Sequence, residues 1–514
     1  MIPMGLRDVA TLTGGELHPG PGAGRGARVE DVLVDGPVVT DSREAGPGSL
    51  YVARVGEHAD GHRFLGLARD KGAVAALTTR PVGELPCVVV DDVQAAFGRL
   101  ARGVVDRCPK LRVIGITGSS GKTGTKDLLA SVLATVAETV APVGSLNGEV
   151  GVPLTVCRVT PSTRFLVVEM GARAVGHIRY LTEVAPPGIA LVLNVGSAHL
   201  GEFGSIDRVA HAKAELVQAL PPDGVAILNA DEPVVAAMGR LTDARVVTVG
   251  RSEGAMVRAT DVALDGLGRP SFTLAVGGRS APVTLALHGE HQVGNALSVA
   301  AAALECRLGL EQVAAALGAA RATSRWRMEV IERDDGVTVV NDAYNANPDS
   351  VRAALAALAG MAGGRPPAEA QVAEAQVADG QVAAGRVAGE RVGRGERPQA
   401  PDARRRTWAV LGEMLELGDQ SRTEHERVGR LAATLGIDQV LAVGEGARPV
   451  VDGARLAGPA PAAGAAVSWV PDADTAYRLL CTQLRRGDVV LLKSSRDAGL
   501  RWLGDRLVGL EVPG

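Results

Sequence analysis

Residues 111–136 read LRVIGITGSSGKTGTKDLLASVLATV, and this stretch decides the fold of the chain. The apolar run VIGIT is followed by a glycine-rich turn and then by an amphipathic stretch with a helical period. This order predicts a buried strand, a tight loop and a helix, which is the context that a phosphate-binding loop requires. The predicted loop consists of Gly118, Ser119, Ser120, Gly121, Lys122 and Thr123.

The chemistry of this loop suits a nucleoside triphosphate. Glycines let backbone N–H groups face the phosphates, and the start of the helix adds its positive dipole end. Lys122 is expected to neutralise the β- and γ-phosphates, and the Thr123 hydroxyl to ligate Mg²⁺. The usual eight-residue spacing is not met, because Ile116 stands five residues before Gly121. An ordinary turn is the alternative, and the surrounding strand and helix favour nucleotide binding.

Outward from this loop, strands and helices alternate along most of the chain. The strand-like runs FLVVEM, ALVLNV, GVAILNA and VVTVG are separated by helical patterns, which predicts a parallel sheet covered on both faces. Short apolar runs before the loop predict a small α/β unit, and the alternation of strands and helices begins again after Arg325. We therefore predict an α/β protein of three domains: 1–105, a central P-loop ATPase domain at 106–325, and a Rossmann-like domain at 326–514.

One segment departs from this rhythm. From Gln371 the chain reads QVAEA QVADG QVAAG RVAGE RVGRG, a degenerate five-residue repeat. A period of five matches neither a helix nor a strand, so the repeat cannot present one apolar face. We predict a flexible insertion at 363–406 within the third domain, with a partner-binding segment as the alternative.

Composition excludes several classes of protein. The 514 residues are 46% hydrophobic with a net charge of -4, which argues against disorder and against nucleic acid as the main partner. No run is long enough to span a membrane, and no secretory signal is visible, so we expect a cytoplasmic protein. The five cysteines are scattered, which argues against a disulfide framework or a zinc ribbon.

Three polar residues follow the central strands. Glu169 ends the strand FLVVEM, and His199 follows ALVLNV, so both are expected at the carboxyl edge of the sheet, where a carboxylate and an imidazole could hold a divalent cation. Lys213 lies on the next helix. Only six of the 54 basic residues are lysines. Since arginine occupies nearly every other basic position, a lysine favours a position where arginine cannot substitute. The alternatives are capping or buried hydrogen-bonded residues for the first two, and a surface lysine for Lys213.

Motifs along the chain occur in an order that resembles the Mur ligase family. They are TGSSGKT, EMGA, NVGSAHLGEFGS, AKAE, GEHQVGNAL, NDAYNANPDS, VLGEMLELG and LLKSSR. The stretch DSREAGPGSLYVARVGEHADGHRF is similar to that family's UDP-substrate domain. YNANPDS and VLGEMLELG resemble the branch that adds a dipeptide rather than a single amino acid. The resemblance covers nearly the whole chain outside 363–406.

The resemblance implies an activity and its ligands. ATP would phosphorylate the terminal carboxylate of UDP-N-acetylmuramoyl-tripeptide, and the amine of D-alanyl-D-alanine would attack the acyl phosphate, in cytoplasmic peptidoglycan precursor synthesis. The implied cofactors are ATP, two Mg²⁺ ions and an N6-carboxylysine at Lys213. We expect a monomer with no nucleic acid partner and no membrane span.

The resemblance also implies residue roles. Lys122, Lys213, His199 and Lys493 would be catalytic, and Thr123, Glu169, His199 and Lys213 would hold metal. Beside the loop, ATP would contact Asn295, Arg327 and Asp342. Substrate would contact Ser42, Arg43, Asn147, Tyr344, Asn345, Asn347 and Arg496.

Some positions depart from the family pattern, and the motifs leave several alternative functions open. Ser494 replaces a usual glycine, Gly148 an asparagine and Trp326 a glycine, while Asn341 and Ala343 alter the usual DDSYNANP. Rivals are a superfamily ligase that adds diaminopimelate or builds folylpolyglutamate, a P-loop switch or kinase, and a non-catalytic relative. The DNPR signature of the diaminopimelate enzymes is absent. A switch or kinase leaves the third domain unexplained, and a pure binder has no use for two metal sites.

Overall fold

The computed structural model describes residues 1–20, 28–56, 59–196, 200–363, 404–456 and 466–511. Its strands form a two-stranded ribbon and three larger sheets of five, nine and six strands. The predicted α/β class with three successive units is confirmed, whereas the boundaries at 105/106 and 325/326 stay predictions. Within the described ranges, no helix is long and apolar enough to cross a membrane.

The first unit is a small sheet with helices packed against it. Its strand order is β2-β7-β6-β5-β4, with β4 to β7 parallel and β2 antiparallel at one edge, and β1 pairs with β3 outside it. The elements are β1 (Met4–Gly5), α1 (Leu6–Thr13), β2 (Glu16–His18), β3 (Leu33–Val34), β4 (Val38–Val39), β5 (Ser49–Val52), α2 (Leu65–Asp70), β6 (Ala73–Thr78), β7 (Cys87–Val89) and α3 (Val93–Asp106).

The central unit is a nine-stranded sheet of order β16-β15-β14-β13-β12-β11-β8-β10-β9. The strands are β8 (Arg112–Thr117), β9 (Thr139–Val140), β10 (Phe165–Glu169), β11 (Ile189–Val192), β12 (Val225–Asn229), β13 (Arg245–Gly250), β14 (Val257–Leu264), β15 (Pro270–Val276) and β16 (Arg279–Thr284). The helices are α4 (Lys122–Ala134), α5 (Gly151–Val156), α6 (His177–Val184), α7 (Leu200–Phe203), α8 (Ile206–Gln218), α9 (Pro233–Ala237), α10 (Gln292–Glu305) and α11 (Leu310–Ala319).

Apolar cores cover both faces of this central sheet, as predicted. Along β8 and β10, Val113 and Leu166 lie in one core, and their neighbours Ile114 and Val167 lie in the other. Gly309 lies between the helices α10 and α11. The sequence reading did not include the antiparallel end of the sheet, where Gly277 and Gly278 have φ of 55° and 79°. Two residues at positive φ make the tight hairpin that joins β15 to β16.

The third unit is a six-stranded sheet of order β17-β18-β22-β19-β20-β21, parallel except for β17. Its strands are β17 (Glu329–Glu332), β18 (Thr338–Asn341), β19 (Thr407–Leu411), β20 (Gln439–Val443), β21 (Ala466–Val470) and β22 (Val489–Lys493). Its helices are α12 (Pro348–Met361), α13 (Ser421–Thr434), α14 (Pro449–Arg455), α15 (Ala473–Gln483) and α16 (Leu500–Leu507).

The predicted insertion at 363–406 falls mostly on 364–403, which lies outside the described residues. Its last three residues belong instead to the folded third unit. The Arg404 side chain donates to Asp438 at 2.9 Å, and that of Arg406 donates to Asp488 at 3.0 Å. The Arg405 amide donates to the Ala362 carbonyl at 3.0 Å, so the chain leaves and re-enters this unit at one place.

Candidate functional site

A cleft of about 1240 Å³ lies between the central unit and the third unit. The phosphate loop, which follows β8, lines it together with Glu169 at the end of β10 and Lys493 at the end of β22. In parallel sheets the carboxyl ends of the strands meet at one edge, and ligands bind there. The cleft therefore joins the ligand-binding edges of two sheets.

The phosphate loop has the backbone that its glycines permit. Gly121 has a φ of 78°, in the left-handed region, and a Cβ there would come within 2.7 Å of Asn295 Oδ1. The Ser120 amide donates to Asn194 Oδ1 at 2.9 Å, and Ser119 Oγ accepts from the Gly196 amide at 2.8 Å. These bonds tie the loop to the chain beyond β11.

The Lys122 side chain folds back and bonds to the loop. Its Nζ donates to the Gly118 carbonyl at 2.6 Å. Burial lowers the pKa of Lys122; nearby Glu169 opposes that shift and Arg327 adds to it. An ammonium that is held at the loop without a carboxylate bonded to it can neutralise an incoming phosphate.

Thr123 and Glu169 form an oxygen-rich corner beside the loop. Thr123 Oγ1 donates to Glu169 Oε2 at 3.0 Å, while Ser145 Oγ and Asn147 Nδ2 donate to Glu169 Oε1 at 2.9 and 2.7 Å. The described residues contain no cluster of three or more His, Cys, Asp or Glu side chains that could hold a metal. Mg²⁺ needs no such cluster, because it is commonly bound by one or two carboxylates together with phosphate oxygens and water. The corner fits that donor set.

Lys213 lies on α8 and lines the same cleft. It is 5% exposed, and its Nζ has no hydrogen bond or ion pair with any residue that the structure describes. Burial lowers its pKa well below the usual value, and the nearby Lys122 adds to this shift. Lys213 is thus not the surface lysine of the alternative reading. His199, predicted beside it, lies outside the described residues.

The third unit contributes a buried ion pair to the opposite wall. Lys493 Nζ lies 2.8 Å from Asp342 Oδ2 and donates to the Asn345 carbonyl at 2.7 Å. Asp342 also accepts from the Met328 amide at 3.0 Å. Burial lowers the pKa of Lys493, and the Asp342 carboxylate opposes the shift. The pair fixes the segment after β18 against the end of β22.

Arg327 reaches the cleft from a strained turn. Trp326 and Met328, on either side of it, have φ of 59° and 51°. The Arg327 guanidinium lies 4.2 Å from the Tyr344 ring centroid, and its Nε is buried without a partner in the described part of the chain. An unpaired guanidinium N–H on a residue that lines a cleft suits a phosphate or carboxylate.

The remaining residues predicted for the site differ in whether they line the cleft. Tyr344, Asn345 and Arg496 line the cleft. Asn347 lines it too, but its side chain accepts from the Ser350 amide at 2.8 Å and caps α12. Ser494 is fully buried and does not line the cleft.

Two predicted residues of the first unit are not part of this cleft. Ser42 is buried in a short turn, and Arg43 is exposed and bonded to the carboxylate of Asp41. That carboxylate has a pKa below its usual range because Arg43 donates to it.

The structure adds cleft residues that the sequence reading missed. Ser145 is one, and its only signal is its place two residues before Asn147. His291 is another; burial lowers its pKa. Arg501 lines the third-unit wall, and in the sequence it resembles any surface arginine of an amphipathic helix.

Comparison with known proteins gives matches along the whole chain. Family models describe a Mur ligase middle domain at residues 116–303 and a Mur ligase glutamate ligase domain at residues 326–368 and 396–496. The UDP-N-acetylmuramoyl-tripeptide–D-alanyl-D-alanine ligase of Mycobacterium bovis is 44% identical, over 100% of this chain and 99% of that protein.

Solved structures give the same result. A crystal structure of MurF from Acinetobacter baumannii has a TM-score of 0.79 at 28% identity, and covers 98% of this chain and 99% of that one. The structure of MurF from Thermotoga maritima in complex with ADP has a TM-score of 0.72 at 25% identity, over 91% of this chain and 96% of that one.

Proposed function

Because the chain belongs to the Mur ligase family, we propose that it catalyses the reaction named for its full-length relatives, the ligation of D-alanyl-D-alanine to UDP-N-acetylmuramoyl-tripeptide. It is an ATP-dependent peptide ligase of peptidoglycan synthesis. The observation that carries the proposal is the cleft itself, which sets a phosphate loop and a buried Lys493–Asp342 pair on facing walls.

The reaction has two group transfers. A carboxylate oxygen of the tripeptide attacks the γ-phosphorus of ATP, and the bond to the β-phosphate oxygen breaks to release ADP. The amine of the dipeptide then attacks the carbonyl carbon of the acyl phosphate, phosphate leaves, and the nitrogen loses a proton. Both steps bring anions together, so positive charge held in place lowers the barrier.

Residues of both walls supply that charge. We assign Lys122 and the loop amides to the β- and γ-phosphates of ATP. Arg327, with its orphaned Nε, reaches the same phosphates from the third unit. Asn295 packs against the loop and is proposed to contact the adenine. We propose that the acyl phosphate and the amine meet beside Lys493 and Asp342, which line the cleft.

Thr123 and Glu169 are proposed to hold one Mg²⁺, with Ser145 and Asn147 orienting the carboxylate. Bound there, Mg²⁺ supplies Lewis-acid stabilisation of the phosphate oxygens. A second Mg²⁺ site would use Glu169, His199 and Lys213.

We propose that Lys213 is carboxylated. Its amine nitrogen would attack the carbon of CO₂ and lose a proton, giving a carbamate with two oxygen donors. Two features support this step: burial favours the uncharged, nucleophilic amine, and the described residues provide no partner for an ammonium.

The substrate is proposed to extend toward the first unit. Ser42 and Arg43 would receive its uridine end, and substrate near the acceptor would contact Tyr344, Asn345, Asn347 and Arg496, all of which line the cleft. ATP supply places the reaction in the cytoplasm. The monomeric state stays a prediction.

The deciding experiment is phosphate release from ATP with purified protein, Mg²⁺, UDP-N-acetylmuramoyl-tripeptide and D-alanyl-D-alanine, omitting each substrate in turn. Release that needs both substrates, with the pentapeptide product identified by mass, supports the proposal. Release with D-alanine or an L-amino acid instead would keep the ligase chemistry and change the acceptor. Nucleotide binding without release under any condition would contradict the proposal.

A further inference from the structure

Two arginines of the third unit bring positive charge to the cleft that no carboxylate neutralises by direct contact. Arg496 and Arg501 both line the cleft, and Arg501 Nη1 donates to the Arg496 backbone carbonyl. Neither guanidinium forms an ion pair with a carboxylate of the described chain. Asp497 and the buried Asp505 attract Arg501 without contacting it, and Asp505 Oδ1 already accepts from Arg325 at 2.8 Å and from Trp326 Nε1 at 3.0 Å.

Aromatic rings lie beside the guanidinium groups of these two side chains. The Arg501 guanidinium lies 4.7 Å from the Trp502 ring centroid and 5.6 Å from that of Trp326. Arg496 lies 5.8 Å from the Tyr344 ring. A guanidinium that contacts a ring can still bond an anion through its remaining N–H groups. Burial and the neighbouring Arg496 lower the pKa of Arg501, yet an arginine remains a cation at neutral pH.

We propose that Arg501, with Arg496 beside it, binds the C-terminal carboxylate of the acceptor dipeptide. This inference rests on the proposed function and names the subsite for its second substrate. Two other anions are assigned elsewhere: the ATP phosphates to Lys122 and Arg327, and the carboxylate that is activated to the phosphate loop. The cation pair on the third-unit wall is then available to the acceptor's own carboxylate.

The test compares D-alanyl-D-alanine with its C-terminal amide, which keeps the attacking amine and lacks the negative charge. In the intact enzyme, KM for the dipeptide should be well below KM for the amide. Arg501→Gln should raise KM for the dipeptide by about 10- to 100-fold, as expected when a charge-assisted bond is lost. KM for the amide and kcat should change little. Arg501→Lys should restore part of the difference.

Arg506→Gln is the matched control, because Arg506 lies on the same helix but pairs with Asp474 outside the cleft. It should leave both acceptors unaffected. If Arg501→Gln does not fold, Arg496→Gln replaces it, since Arg496 is exposed.

Three results would overturn the subsite. One is an equal loss with dipeptide and amide; another is a rise in KM for the UDP-substrate alone, which would assign the arginines to a carboxylate of that substrate. The third is unchanged dipeptide selectivity in both variants. A wild-type enzyme that forms no amide bond with any acceptor would instead contradict the proposed function.

Discussion

The two walls of the cleft are built in different ways. The central wall is built around a local motif: strand, loop and helix are contiguous, and the loop bonds to the ends of the two strands that flank β8, at Glu169 and Asn194. The third-unit wall is assembled from distant parts of the chain, since Asp342 meets Lys493 and Trp326 meets Asp505. A residue of a local motif can be substituted with little change in the free energy of unfolding. A residue of a wall that is held by long-range pairs also contributes to the stability of its unit.

The sharpest test of this contrast is Lys122→Ala. Removing the ammonium from the phosphate loop should lower kcat by about 10²- to 10³-fold, the usual cost of losing one electrostatic contact to a transition state. The unfolding temperature should change little, because Lys122 bonds only to carbonyls of its own loop. Phosphate release and thermal unfolding measure the two effects. Lys110→Ala, at an exposed position, is the control.

Asp342→Asn should affect stability as well as rate. It leaves Lys493, which is 2% exposed, without its carboxylate, and breaking a buried ion pair costs about 3 kcal/mol. Urea unfolding compared with the surface variant Asp335→Asn would measure this cost. Equal stability of the two variants would show that the third-unit wall is as separable as the loop.

Lys213→Met is expected to lower activity while raising stability. Activity should fall by about 10- to 100-fold, as when a metal site loses a supporting ligand. After CO₂ removal, added bicarbonate should raise the activity of the wild type and have no effect on the variant. A bicarbonate response that survives in Lys213→Met would exclude this lysine as the carboxylated residue; Lys71→Met serves as the surface control.

The same variant should be more stable than the wild type at neutral pH. Because burial lowers the folded pKa of Lys213 below its unfolded value, the unfolded chain binds more protons between the two values, and wild-type stability rises with pH there. Methionine removes this penalty, so its advantage in Tm, roughly 2–4 °C near pH 7 in CO₂-free buffer, should shrink toward pH 10.

Asn347→Ala should have the smallest effect. The side chain caps α12, and loss of such a cap costs about 1 kcal/mol. If capping is its main role, Asn347→Ser should recover the stability and KM values should stay near those of the wild type. A large rise in the KM for an acceptor in both variants would favour the substrate contact instead.

The sequence allows prediction where a function depends on residues that are close together in the chain. The phosphate loop, the two-faced sheet around it and Glu169 at a strand end all follow from periodicity and order, and the family resemblance adds Lys493 and Asp342. Arg501 and the antiparallel hairpins could not be anticipated in this way. Arg501 acquires its surroundings only when Trp326 and Trp502, far apart in the chain, pack against it.

Trp326 illustrates a second limit. A tryptophan at a φ of 59° contradicts local preference, and no rule of propensity predicts it. It is held there by long-range bonds from its indole N–H to Asp505 and by an edge-to-face contact with Trp502. Strain of this kind becomes visible only in the folded chain.

The hydrogen bond between the Arg405 amide and the Ala362 carbonyl has a consequence for engineering. Because these two anchor points are close together, a foreign polypeptide whose own ends lie near each other could replace residues 364–403. Doubling the length of such a closed loop costs only about 0.6 kcal/mol in closure entropy. A fluorescent protein or an affinity tag placed here would report on the third unit from a point that does not line the cleft.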